Sequence, residues 1–326
     1  MFTRVRRAYC GALAMAVVAL LSACSGSATG SGNSGNSGTI SITVGALPVI
    51  DDVAAYIAQD EGFFKKAGLN VKITSVASSG VAIPQLQKGT MDIVGGGNYV
   101  SFIQASDGDP ASPAWKIIAE AATCAPSAFE VLALPSSGID TPAKLTGKTI
   151  AVNLTNNIQT LMINDDLEAD NVAFKTVNYK VVSFPKMISA LQDHQVDAIA
   201  AVEPFATEAQ SAGAQVVFDM CSGPTATLPL SGYIATSAWA DKNPQAVQRF
   251  QQAISEAQQV ADTNRQEVQK ALLSYVTGLT PQEAGTLTLD DFPTSADAVQ
   301  LNRVSDLMEE AGLEKKPLQA SALIDG

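Results

Sequence analysis

The chain of 326 residues contains a single histidine, His194, in the turn-like stretch LQDHQVD. That scarcity excludes a histidine-rich metal centre, and a lone histidine that reads as a solvated turn residue offers no credible nucleophile-base pair. A His/Cys/Glu cluster at metal-ligand spacing is also missing, as is a glycine loop followed by Lys-Ser/Thr that would cradle phosphates. No metal and no cofactor is therefore expected. Basic residues are few: 20 Lys and Arg stand against 32 Asp and Glu, for a net charge of −12. Most are scattered singly, so the chain lacks the basic stripe that binds a phosphate backbone, and nucleic acid is not expected as a partner. The apolar run from Gly11 to Ala23 falls short of the ~20 residues a membrane-spanning helix needs.

That short run follows Arg4, Arg6 and Arg7 and ends at a cysteine, which is the layout of an export signal rather than of an anchor. Leu21-Ser22-Ala23-Cys24 resembles the bacterial lipoprotein box, in which the cysteine receives diacylglycerol and becomes the mature N-terminus. The resemblance implies a signal peptide over residues 1–23 and a lipid on Cys24; the alternative is a secretory signal with an unmodified Cys24. Two or more acyl chains anchor a protein stably where one does not. Residues 24–38 are nearly all Gly, Ser, Ala and Asn. Such a linker is a random coil that lets a folded body hang about 20 Å off the membrane.

The remaining ~290 residues suffice for one large or two ordinary domains, and with 46% hydrophobic residues in the whole chain the body is expected to be globular. Strand-like and helix-like runs alternate, the pattern of a mixed sheet covered by helices. The first series reads as strand 39–45, helix 53–67, strand 70–75, helix 81–88 and strand 92–95. A second follows as strand 149–153, helix 157–170, strand 178–182, helix 186–193 and strand 197–201. LQKGTMDIVGGGNYV, from Leu86, overlays LQDHQVDAIAAVEPF, from Leu191. The Asp opening each apolar strand coincides, and Asn98 falls on Glu203. Extended stretches on either side of the second series look like two crossings between lobes. Beyond Ala240 the chain reads as helical, with Asn243 as a cap and Pro244 in the first turn.

AAYIAQDEGFFKKAGLNVKI, IPQLQKGTMDIVGGG, TPAKLTGKTIAVN, MISALQDHQVDAIAAVEPF and GYIATSAWADKNPQAVQRF together resemble the extracytoplasmic solute-binding proteins of bacterial ABC importers for nitrate, sulfonates, taurine and thiamine-pyrimidine precursors. The resemblance implies an α/β, two-lobed, type II periplasmic-binding fold, each lobe a mixed sheet flanked by helices. Lobe one would take residues 39–123 and 229–326 and lobe two residues 124–228, with a hinge crossing at each end of lobe two. It further implies a monomer that captures a small-molecule solute and delivers it to an ABC permease with its ATPase, held by its lipid to the outer face of the cytoplasmic membrane. The competing readings are a lipoprotein that senses a ligand without an importer, and an enzyme of thiamine-pyrimidine synthesis; the second would need histidine and clustered cysteines. With Cys10 lost in the signal and Cys24 acylated, Cys124 and Cys221 remain, one at each crossing. They are expected as a disulfide, against the alternative of two buried thiols.

Open α/β sheets bind ligands beyond the carboxyl ends of their strands. In lobe one this directs attention to Pro48, Asp51 and Asp52 in ALPVIDDV, with Asp52 also a candidate N-cap. Ser79 in SSG, and Asn98 and Tyr99 behind three glycines, complete that side. In lobe two it selects Thr155 and Asn156 in NLTNN, Phe184, Glu203 in VEPF, and Phe205. The family resemblance places Glu203 in the cleft, against the alternative of a salt bridge to the neighbouring lobe, and Tyr99 with Phe205 could sandwich a flat ligand, against the alternative of ordinary core. Three carboxylates and little cationic charge in these loops favour a neutral or amine-bearing solute, such as a heterocycle.

Overall fold

The computed structural model describes residues 38–106, 114–314 and 320–325. The expected signal peptide and Cys24 lie outside the described residues. None of the described helices is long and apolar enough to cross a membrane.

Among the described residues, ten strands form two separate five-stranded sheets. The first contains β1 (Ile40–Ala46), β2 (Leu69–Ser75), β3 (Ile93–Asn98), β4 (Trp115–Thr123) and, from the second crossing, β10 (Pro229–Thr236), in the order β2-β1-β3-β10-β4. The second contains β5 (Phe129–Ala133), β6 (Thr149–Val152), β7 (Asn178–Val181), β8 (Ala198–Val202) and β9 (Gln215–Asp219), in the order β7-β6-β8-β5-β9. In each, three parallel strands are followed by two antiparallel pairings. This is the mixed α/β, two-lobed architecture that the alternating pattern and the family resemblance imply.

The internal repeat has a physical cause. β3 and β8 sit at the same place in their sheets, and the Asp preceding each makes the same bond: Thr43 N donates to Asp92 Oδ2 at 2.7 Å and Thr149 N to Asp197 Oδ2 at 2.9 Å. Each carboxylate thus takes up an N–H of the neighbouring strand that the short parallel ladder leaves open.

The helices cover the sheets through apolar stripes. In Pro244–Thr263, Ala246, Val247, Phe250, Ala253, Ile254, Ala257 and Ala261 are buried, a three-and-four spacing that faces one side. Phe250 stacks on Phe64 at 5.5 Å and meets Tyr233 edge-on at 5.4 Å, pinning this C-terminal helix to the first sheet. Asn243 stands at its N-cap position but its side chain does not cap; its Nδ2 donates to Trp239 O at 2.9 Å instead. The helix expected over 53–67 is broken into Val53–Asp60 and Phe63–Lys66 by Gly62, whose φ of 74° no helix interior accommodates.

The chain passes between sheets after β4 and again before β10. Cys124 and Cys221, one in each crossing, form a disulfide with Cα atoms 5.3 Å apart, and Cys124 N donates to Leu228 O at 2.9 Å. Cys124 and Cys221 are both buried. Arg303, on the helix Ala298–Glu310, donates to the carbonyls of Pro224 and Ala226 at 3.0 Å each. The second crossing is thereby held by side chain as well as by disulfide.

Candidate functional site

The carboxyl ends of β1, β3, β6 and β8 face a small cavity of about 40 Å³ between the two sheets. From the first lobe it is lined by Leu47, Val49, Asp51, Gly96, Asn98, Leu230 and Ser231. From the second come Phe129, Asn153, Asn157, Ile158, Gln159, Phe184 and Val202. An apolar body of Phe, Leu, Val and Ile with a few fixed polar groups is the usual make-up of a small-molecule pocket.

Asp51 lies in the short 3-10 turn Ile50–Asp52 that follows β1. Ser231 Oγ donates to its Oδ2 at 2.5 Å, while its buried Oδ1 has no partner. Burial pushes the Asp51 carboxyl above the usual range, against the pull of the Ser231 bond. Asp52 does not cap the following helix. Its Oδ2 accepts from Leu47 N at 2.7 Å and closes the β1 loop back on itself. The glycines of β3 exist for this carboxylate: a Cβ on Gly95 would stand 1.8 Å from Asp52 Oδ1, and one on Gly96 2.7 Å from Oδ2. Gly96 also has a φ of 58°, a left-handed conformation that glycine adopts without strain. Burial, and then the Asp51 charge, hold the Asp52 carboxyl well above its ordinary range, opposed by the Leu47 bond. Asp290 is buried with both oxygens unpartnered. Burial raises it well above the ordinary range, and the charges of Asp51 and Glu203 add to the shift.

On the lobe-two side the polar groups bind one another. Asn157 caps the helix Ile158–Ala169: its Oδ1 accepts from Thr160 N at 3.2 Å, and its own N donates to Thr160 Oγ1 at 3.0 Å, a capping box. Asn157 Nδ2 donates to Asn153 Oδ1 at 2.8 Å. Gln159 Oε1 accepts from Asn153 N at 2.7 Å, and its Nε2 donates to Ala200 O at 2.9 Å, tying the loop to β8. Across the cavity, Asn98 caps its helix through Ser101 N at 2.9 Å and donates Nδ2 to Ser79 Oγ at 2.9 Å.

Of the residues singled out in the sequence, Asp51, Asn98 and Phe184 are thus brought together in the cavity wall. Ser79 stands behind Asn98 as its hydrogen-bond partner. Pro48 is half-buried beside the wall, and Thr155 and Asn156 are exposed beyond the loop tip. The sandwich expected of Tyr99 and Phe205 does not form in the cavity, because both rings are taken into the core. Phe205 stacks on the inner side of Phe184, ring centres 5.8 Å apart and 3° from parallel, and so backs an aromatic that lines the wall.

Glu203 corrects the expectation of a carboxylate open to the cleft. It is buried, its Oε1 accepts from Thr207 Oγ1 at 2.8 Å and Thr288 N at 2.9 Å, and its Oε2 accepts from Thr207 N at 3.1 Å. Its backbone carbonyl accepts from Ile50 N at 3.0 Å, across the gap between lobes. Burial raises its pKa against the pull of these bonds and of the Arg265 charge. Phe129, Asn157, Gln159 and Ser231 escaped the sequence reading. Asn157-x-x-Thr160 is a legible capping signal; nothing local marks Gln159 or Ser231, which reach the wall only through the fold.

This architecture, two mixed sheets joined by two crossings with a cavity between their strand ends, defines the class of two-lobed periplasmic binding folds. Solved structures of that class superpose on most of the chain. The alkanesulfonate-binding protein SsuA from Xanthomonas axonopodis pv. citri, bound to MOPS, gives a TM-score of 0.72 at 16% identity, covering 88% of this chain and 99% of that one. The periplasmic aliphatic sulphonate binding protein SsuA from Escherichia coli gives 0.67 at 19% identity, covering 87% and 97%. The periplasmic nitrate-binding protein NrtA from Synechocystis PCC 6803 gives 0.64 at 18%, covering 75% and 69%. No curated protein matches the chain. A family model described as NMT1/THI5 like matches residues 51–268, and the chain belongs to that family.

Proposed function

We propose that the chain is the extracytoplasmic solute-binding component of an ABC importer, capturing a small organic solute between two closing lobes for delivery to a membrane permease with its ATPase. The observation that carries this reading is the cavity itself: seven residues from each lobe line it, so a solute there touches both. Only a ligand that binds the closed state better than the open one shifts the population toward closure, and the two crossings give the lobes a hinge. Membership of the NMT1/THI5-like family and the likeness to sulfonate- and nitrate-binding proteins support the role. In this reading the chain binds and releases rather than transforms its solute, as a monomer. Lobe one comprises residues 39–123 and 229–326 and lobe two residues 124–228. Cys24 carries the lipid that holds the protein at the outer face of the cytoplasmic membrane.

The solute is neutral or amine-bearing, since the cavity wall contains carboxylate and amide groups but no Lys or Arg among its described residues. The test is a mass spectrum of small molecules released by denaturing the purified, undialysed protein, followed by calorimetric titration of the stripped protein with whatever is found. One organic solute released near stoichiometry and rebound with saturation is the expected result. An empty spectrum, together with no binding across amine, neutral and sulfonate probes, overturns the reading.

A further inference from the structure

We infer that the cleft takes a small organic ammonium, a charged amine on a compact apolar or aromatic body, and that Asp51 receives its charge. The inference rests on the solute-binding reading above and deepens it.

The hydrogen-bond inventory of the wall leads there. Its polar side chains are Asp51, Asn98, Asn153, Asn157, Gln159 and Ser231. Each of the last five has a protein partner: Asn98 with Ser101 and Ser79, Asn153 with Asn157, Asn157 with Thr160, Gln159 with Ala200, Ser231 with Asp51. Among the described residues, Asp51 Oδ1 is the one buried side-chain polar atom of the wall with no partner, on a residue only 7% exposed. A buried carboxylate oxygen without a donor is costly, and a ligand that supplies an N–H recovers that cost.

The sign of the ligand follows from the surroundings. The carboxyls on which the Asp51 charge acts are Asp52 and Asp290, and it acts also on the buried Tyr99, Tyr233 and Tyr275. No Lys, Arg or His stands in the described wall. A sulfonate or nitrate there would find no cationic side chain in the wall to pair with. Of the helix N-terminal N–H groups, the other means of holding an anion, Thr160 N is taken by Asn157 and Ser101 N by Asn98. An ammonium meets the opposite situation, with a carboxylate acceptor and two phenyl rings, Phe129 and Phe184, in the same wall. Aromatic faces attract cations as well as apolar bodies.

The experiment compares three probes on one carbon frame, benzylamine, benzyl alcohol and phenylmethanesulfonate, titrated calorimetrically into stripped wild-type protein and Asp51→Asn. Alongside, the solute released from undialysed protein is weighed. The expected result is a preference of about 10- to 100-fold for the amine over the alcohol, lost in Asp51→Asn. Should the variant not fold, the wild-type preference alone decides. If the sulfonate or the alcohol binds as well as the amine, or the preference survives in Asp51→Asn, the ammonium assignment is wrong while solute binding stands. If no probe binds but a solute is released, a basic nitrogen in that solute upholds the assignment and its absence refutes it. If no probe binds and none is released, both readings fall together.

Discussion

Replacing Glu203 by alanine separates two roles that a buried carboxylate at a strand end can play. The change removes the acceptor for three donors: Thr207 N, Thr207 Oγ1 and Thr288 N. Thr207 is half-buried, so its hydroxyl can turn to water, whereas the two amides lose a charged acceptor. Stranding an amide costs about 1 to 2 kcal/mol, and releasing a buried carboxylate from its desolvation returns part of that. The net loss of folding stability is about 2 kcal/mol, seen as a lower urea midpoint at unchanged slope. Glu203→Gln keeps an acceptor oxygen and recovers about half of it. Because Thr288 lies in the segment that follows the helix Pro281–Thr286, which packs on the lobe-two helix Phe205–Ser211, the bond helps hold the lobes together. Solute affinity should therefore fall by a common factor for every solute. An unchanged urea midpoint accompanied by selective loss of one solute would refute this and return Glu203 to the cleft as a ligand contact.

The Cys124–Cys221 bridge closes a loop of 97 residues; replacing both cysteines by serine should cost about 4 to 5 kcal/mol by loop entropy, and unchanged thermal unfolding would contradict that. Alanine at Gly95 must share space with Asp52 Oδ1 at 1.8 Å and Tyr233 Cε1 at 2.8 Å, so Gly95→Ala should destabilise by about 1 to 3 kcal/mol or more, measured by urea unfolding. Acid should stabilise the protein over the middle pH range. Burial raises Glu120 and Glu130 to about 7 and Asp166 to about 8. The folded state therefore holds more protons than the unfolded one between about pH 4.5 and 7. The stabilisation is complete below the unfolded pKa values and is lost as pH rises through the folded ones, by about 1.4 kcal/mol per pH unit for each such group. A urea midpoint that falls steadily from pH 7 to pH 5 would show the sign to be wrong.

Periodicity and turn residues made the order of strands and helices legible, and the repeated LQ…D segment marked the two strands that occupy equivalent places in their sheets. The shared aspartate was visible because its bond to a neighbouring strand is made twice. Helix ends were less legible: Gly62 interrupts a run whose apolar spacing continues across it, and Asn243 has the chemistry of a cap but spends it on Trp239. The site was half legible. Strand-end position selects Asp51, Asn98 and Phe184, but no local signal tells a carboxylate facing a cavity from one turned inward. Asp52 and Glu203 lie at equally suggestive positions, yet Leu47 N claims the first and Thr207 and Thr288 claim the second. Ser231 reaches Asp51 from 180 residues away, a pairing set by β10 returning to the first sheet.

A crystal structure of the protein loaded with the solute it releases on denaturation bears on every step above. The solute is expected between the two sheets, touching Phe129 or Phe184 on one side and Leu47 or Leu230 on the other, with a nitrogen about 2.7 to 3.2 Å from Asp51 Oδ1. A solute lying outside this cavity, or held by one lobe alone, would contradict capture by closure.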